Sequence, residues 1–238
     1  MLVHEGESRT SKIDLLLATA LAFVAGGVNS AGYLAFGYFS ANMTGNVSMI
    51  SDHLSIRELN AAIAFATIVV MFILGAFCAS LFIEIGRQRR LSNIYALTLL
   101  AESALLMGVG VYTASSAFGG ITIAGLLGFT MGIQNAASTR ISGSRVRTTH
   151  VSGIATDIGV GLALLIGNST ASDRAQTVRR LSLHGTTILS FLLGGIAGVL
   201  GYKLAGGMVF CVFAIILLAL CAGYLRGRTA AALPGTKT

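Results

Sequence analysis

The sequence predicts an all-α membrane protein: six transmembrane helices plus two short re-entrant half-helices, arranged as an inverted-topology 3+3 repeat in a single transmembrane domain. Three observations lead there. First, 54% of the 238 residues are hydrophobic and only 11% are charged, with a mean hydropathy of +0.81, more apolar surface than a water-soluble core of this size can bury. Second, a hydrophobic helix is interrupted twice, in corresponding places of two halves, a pattern that points to a binding site in membrane transporters. Third, the Lys and Arg residues sit between apolar segments, where the positive-inside rule puts them. The net charge of +7 is thereby accounted for without a nucleic-acid partner.

Residues 1–12 are polar and expected at the surface, and nothing there resembles a cleaved signal peptide, because the first apolar run is too long and more follows. From Ile13 to about Phe39 the chain is apolar, enough for a tilted span of a bilayer core that needs about 20 residues. Ser40 to Thr44 interrupts it, and Gly45 to Leu54 is too short to cross, so it reads as a re-entrant or interfacial half-helix. Ala61 to Ile85 and Ile94 to Thr113 are the second and third spans. An uncharged link over 114–117 leads to the fourth, Phe118 to Ala137, which ends in the polar stretch Arg140 to Thr149. Val151 to Ile166 repeats the short apolar piece, and residues 167–182 are polar. Leu183 to about Tyr202 and Leu204 to Tyr224 are the last spans, with a tight turn near Lys203 and a basic tail beyond.

If the two short pieces do not cross, one side of the membrane carries all of the 16 basic residues except Arg57 and Lys203. That bias favours six spans with both termini cytoplasmic. It also sets the repeat: Asn29 and Asn135 are 106 residues apart, and Thr44-Gly45 and Ser152-Gly153 are 108 apart. Three crossings per half turn the second half (118–226) upside down relative to the first (13–113).

A broken helix inside hydrocarbon is tolerated only where protein or a water-filled cavity satisfies the freed backbone groups. The candidate solute-binding residues are therefore Asn29, Ser30, Asn42, Thr44 and Asn46 in the first half, and Gln134, Asn135, Ser138, Arg140, Thr149 and Ser152 in the second. The competing reading makes the same groups interhelical glue. Half-helix N-termini near Thr44-Gly45 and Ser152-Gly153 favour an anion, and Arg140, Arg145 and Arg147 just before the second one suggest a cytoplasmic anion-attracting vestibule; the simpler reading is that these arginines only fix topology and meet lipid phosphates.

Glu102 lies about eight residues into the third span, roughly 12 Å from its start at 1.5 Å per residue. Buried there it is either a proton-coupling carboxylate or a neutral carboxyl facing Ser or Thr. Asp157 is a second proton-coupling candidate, with backbone capping as its alternative, while Asp14, Glu84 and His184 sit at span ends, where solvated or interfacial roles dominate. Gly128/Gly132 and Gly194/Gly198 are small-xxx-small faces for close helix packing or a homodimer contact. Cys78, Cys211 and Cys221 fall in apolar runs without metal spacing and read as buried structural thiols. No catalytic motif, cofactor fingerprint or metal-ligand pattern occurs, so the expectation is a non-enzyme without cofactor or metal.

GGVNSAGYLAFGYFSANMTGN, followed about a hundred residues later by GIQNAASTRISGSRVRTTHVSG and ATDIG, resembles the bacterial YoaK family, also called the domain of unknown function 1275. The resemblance covers nearly the whole chain. It implies a small six-span protein of the bacterial inner membrane and no settled activity, members being described only as permeases. The reading that follows is a permease moving a small solute, anionic on one view, by alternating access at the paired breaks. A scaffold or accessory subunit is the alternative.

Overall fold

The computed structural model describes residues 10–91, 93–115, 120–167 and 170–232, with side chains as far as residue 223. Among these residues there are eight helices and no strand. Helix α1, Ser11–Phe36, starts where the Thr10 hydroxyl accepts the Ile13 N–H, and Asp14 in its first turn suits the positive end of the helix dipole. It stops at Gly37, whose left-handed backbone (φ 78) lets its N–H bond the Tyr33 carbonyl. The short α2, Met43–Ser55, follows, and then α3, Leu59–Gln88, and α4, Ile94–Ser115. The second set is α5, Gly120–Ser142, the short α6, Val151–Ile166, α7, Ala171–Ala205, and α8, Met208–Ala232.

Four of these, α1, α3, α4 and α7, are long and apolar enough to cross a membrane. Six were expected. Of the other two, α5 carries Gln134, Asn135, Ser138, Thr139 and Arg140 in its second half, and α8 is apolar over Met208–Gly223, the part whose side chains are described. The turn expected near Lys203 falls instead at Gly206-Gly207, since Lys203 is inside α7 and Gly206 has the positive φ (55) that a reversal needs. The polar residues 171–182 are not a separate segment but the first turns of α7, whose 35 residues reach roughly 52 Å at 1.5 Å per residue, well beyond a bilayer core of about 30 Å. The link over 114–117 lies partly outside the described residues.

The principal packings are α1 on α7, α3 on α5 and α4 on α8, with α2 against α3 and α6 against α7. Leu17, Leu21 and Val28 of α1, Leu99 and Leu106 of α4, Leu127 and Met131 of α5 and Phe210 and Leu217 of α8 form one buried cluster. The outer faces of α3 and α7 leave Ile73, Phe77, Leu189, Leu192 and Leu200 uncovered, an apolar surface matched to lipid.

Two crossings are made backbone to backbone. A Cβ on Gly26 of α1 would overlap the Phe191 carbonyl of α7, and one on Gly194 of α7 would overlap the Phe23 carbonyl of α1. The other pair copies this: Gly132 of α5 meets the Phe72 carbonyl of α3, and Gly75 of α3 meets that of Phe129. Gly198 lies against Gly27, and Gly128 against Ile68. The small-residue faces are thus filled within the chain and are not free for a dimer contact. Cys211 and Cys221 are buried, but Cys78 is exposed on α3, which corrects the expectation of three buried thiols.

Glycines on one helix should therefore respond oppositely to alanine. Gly194→Ala must push α7 off α1 and is expected to cost at least the ~1–3 kcal/mol of an overpacked core. Gly185→Ala, with open space around its Cβ site, should be neutral or stabilise by about 0.5–1 kcal/mol. Thermal unfolding in detergent reads both.

Candidate functional site

The two interruptions of the helices are built alike. In the first, the chain leaves α1 at Gly37 and turns back, and the buried Asn29 Oδ1 accepts the Ala41 N–H at 2.9 Å. Asn42 then caps α2, its Oδ1 accepting the Gly45 N–H at 3.0 Å, and Asn46 Nδ2 donates to the Phe39 carbonyl at 2.9 Å. In the second, α5 ends through Gly143 and Ser144, both at positive φ, and the returning strand of chain is clipped by two adjacent amides. Asn135 Oδ1 accepts the Thr149 hydroxyl at 2.8 Å, and Gln134 Oε1 accepts that of Thr148 at 3.2 Å. Each freed stretch of backbone is tied down by a side chain, as hydrocarbon requires.

Between the two interruptions lies a cavity of about 800 Å³. Asn29, Asn42 and Thr44 border it from the first half, and Asn135, Thr149 and Ser152 from the second. The other expected residues lie elsewhere. Ser30 packs toward Gly195 in an apolar surface pocket. Asn46, Gln134 and Ser138 are buried and spend their groups on backbone or on each other's neighbours. Arg140 is paired with Glu84 on α3, which also removes Glu84 from a purely solvated role. Asp14, expected in a solvated or interfacial role, is buried at 4% exposure and pairs with Arg145 at 3.0 Å.

The cavity wall includes residues absent from the expected set: Phe72 and Phe191, whose carbonyls make the glycine crossings, together with Phe39, Thr139 and His150. Arg147, placed by the sequence in a vestibule, also borders the cavity. The signal that would have found the two phenylalanines is a repeated Phe-x-x-Gly: 23/26 and 129/132 on α1 and α5, and 72/75 and 191/194 on α3 and α7. A second cavity of about 500 Å³, between α6 and α7, shares Arg147 and His150 with the first and holds Asp157, whose carboxylate lies 3.8 Å from His184. Asp157 therefore faces a histidine and not the backbone N–H groups of its helix start.

Glu102 does not reach the cavity. It is fully buried on α4, where Oε1 accepts the Gln134 Nε2–H at 3.0 Å and Oε2 has no hydrogen-bond partner. Its neighbour is an amide, not the Ser or Thr expected, and the amide passes the contact on to Thr148. No group of three His, Cys, Asp or Glu among the described residues could hold a metal ion.

Helices long and apolar enough for a bilayer, packed around a cavity at two helix breaks, define a polytopic helical membrane protein. Residues 17–224 match the family described as a protein of unknown function (DUF1275), and the chain belongs to that family. Neither a curated protein nor a solved structure matches it.

The Glu102 contact can be separated from its charge. Glu102→Gln keeps an acceptor for Gln134 and should leave stability nearly unchanged, whereas Glu102→Leu strands the buried amide and should cost about 1–3 kcal/mol. Comparing the two melting temperatures in detergent checks this.

Proposed function

We propose that the chain is a small-solute permease working by alternating access around the 800 Å³ cavity. One observation carries the reading: both helix breaks open onto that cavity and contribute to it in matched pairs, Asn29 with Asn135, Thr44 with Ser152, Phe72 with Phe191. The volume lies within the roughly 300–1,000 Å³ of small-molecule sites. A scaffold whose breaks were only structural would have no use for a solute-sized space there.

The frame is that of an inverted 3+3 repeat with six crossings, α5 and α8 included, and α2 and α6 re-entrant. Exchanging α1 with α5, α2 with α6, α3 with α7 and α4 with α8 returns the same set of helix packings. The glycine-carbonyl contacts exchange in the same way, at offsets of 106 residues for α1 and α5 and 119 for α3 and α7. Such symmetry is how two half-structures become exchangeable gates around a fixed site. The distribution of basic residues supports a bacterial inner-membrane location with both termini on the cytoplasmic side and Arg57 outside. Single cysteines in a cysteine-free background test this: a membrane-impermeant thiol reagent added to intact cells should label Ser55→Cys and spare Gln88→Cys, and the reverse would overturn the orientation.

Glu102 and Asp157 are the residues proposed to couple solute to protons, Glu102 because its free Oε2 is buried behind the amide next to Asn135. A thermal-shift screen of solutes followed by flux into liposomes tests the whole reading. Thr44→Trp, which fills the cavity mouth of α2, should abolish flux of a hit solute in a folded protein. Glu102→Gln should keep downhill flux and lose accumulation driven by a pH gradient. No flux of any solute class by the wild type would end the permease reading.

A further inference from the structure

The charge inventory of the cavity is one-sided. Three arginines precede α6, and two are neutralised: Arg140 by Glu84 and Arg145 by Asp14. Arg147 has no ion-pair partner among the described residues, and it borders the cavity, whose wall contains no Asp or Glu. An exposed guanidinium without an ion-pair partner, at the edge of a half-open cavity of about 800 Å³, raises the local concentration of anions there. The first turn of α6 adds to this, since His150 makes no side-chain cap and leaves its N–H groups beside Arg147. The remaining wall is built of amides, hydroxyls, the His150 imidazole and apolar residues, three phenylalanines among them. A compact, strongly hydrated ion would leave Phe39, Phe72 and Phe191 without a function in it.

We propose that the cavity binds a small organic anion, its carboxylate on the Arg147 fork and its apolar body against Phe72 and Phe191; this rests on the permease reading for its purpose but not for its chemistry. The planar fork matches a carboxylate in two parallel hydrogen bonds, which a lysine cannot reproduce. Arg147 and His150 also form the wall shared with the second cavity, so the bound anion sits at the passage toward Arg180 and His184. In the first half, 108 residues earlier, Phe39 and Asn42 occupy the matching places and carry no charge. Charge selection is thereby confined to the α6 side of the cavity.

The test uses the full-length protein in nanodiscs of zwitterionic lipid, with benzoate as the anion, benzamide as its uncharged counterpart and inorganic phosphate as a compact anion. Benzoate should raise the melting temperature saturably, benzamide should not, and phosphate should do so weakly. Arg147→Gln should weaken benzoate about tenfold or more, ~1.4 kcal/mol of binding or above. Arg147→Lys should recover part of it, and Arg179→Gln on the exposed start of α7 should behave as wild type. Equal stabilisation by benzamide, or benzoate binding that survives Arg147→Gln in a protein with an unchanged melting baseline, overturns the proposal. Stabilisation that depends on Arg147 only when anionic lipid is present identifies a lipid headgroup and overturns the free-solute assignment. Flux of neutral solutes without benzoate binding would sink this proposal and spare the permease reading; benzoate binding through Arg147 without flux would do the opposite.

Discussion

Four backbone carbonyls, those of Phe23, Phe72, Phe129 and Phe191, each lie against a glycine of another helix. The rest of the structure depends on these contacts. Lipid provides no hydrophobic drive to bring helix to helix, so association rests on how closely two surfaces fit. A glycine allows the backbones to touch, and the contact is reciprocal at both crossings, which sets the depth and register of α1 on α7 and of α5 on α3. Asn29 and Asn135 each stand three residues beyond such a glycine, Gly26 and Gly132. The same register that closes the crossing carries the two amides to the cavity, and it sets Phe72 and Phe191 in the wall of that cavity.

From that frame the polar chemistry follows as a matter of satisfying the broken backbone. Asn29 holds a main-chain N–H, while Asn135 holds a side-chain hydroxyl; the second clip is doubled by Gln134 and Thr148 and backed by Glu102. The two halves solve one problem with different groups. The second solution places a carboxyl oxygen without a partner behind the returning chain, so that any change of charge on Glu102 acts first on Gln134 and then on the segment that carries Thr148 and Thr149. That short route from a buried acid to the cavity edge exists in one half only.

The helices, both interruptions and the amides beside them were legible in the sequence, because apolar run length and the placement of Gly, Ser, Thr and Asn are local signals. Six of the expected polar residues do border the cavity. What escaped was set by pairing between distant helices. The phenylalanines read as ordinary apolar residues until their carbonyls are seen on glycines of other helices, although Phe23-x-x-Gly26-x-x-Asn29 and Phe129-x-x-Gly132-x-x-Asn135 stand in plain order. The ion pairs of Asp14, Glu84, Arg140 and Arg145 escaped for the same reason: each has a partner more than fifty residues away. The length of α7 was hidden by its polar first turns, which helix propensity tolerates and hydropathy does not record.

The departures from symmetry are as informative as the symmetry. Where the frame repeats, at Phe-x-x-Gly and at the amides, the residues are those that close packing and backbone satisfaction demand, and a change in one half would break its counterpart crossing. Where the halves differ, at Phe39 against Arg147 and Asn42 against His150, no packing constraint of the frame calls for a difference. Phe39 stacks on Tyr33 with ring centroids 4.1 Å apart, making the α2 side of the cavity aromatic, while the α6 side carries the cation. A symmetric frame with an asymmetric lining gives the two sides of one cavity unlike surroundings for the same charged group, the cation on the α6 side and the aromatic pair on the α2 side.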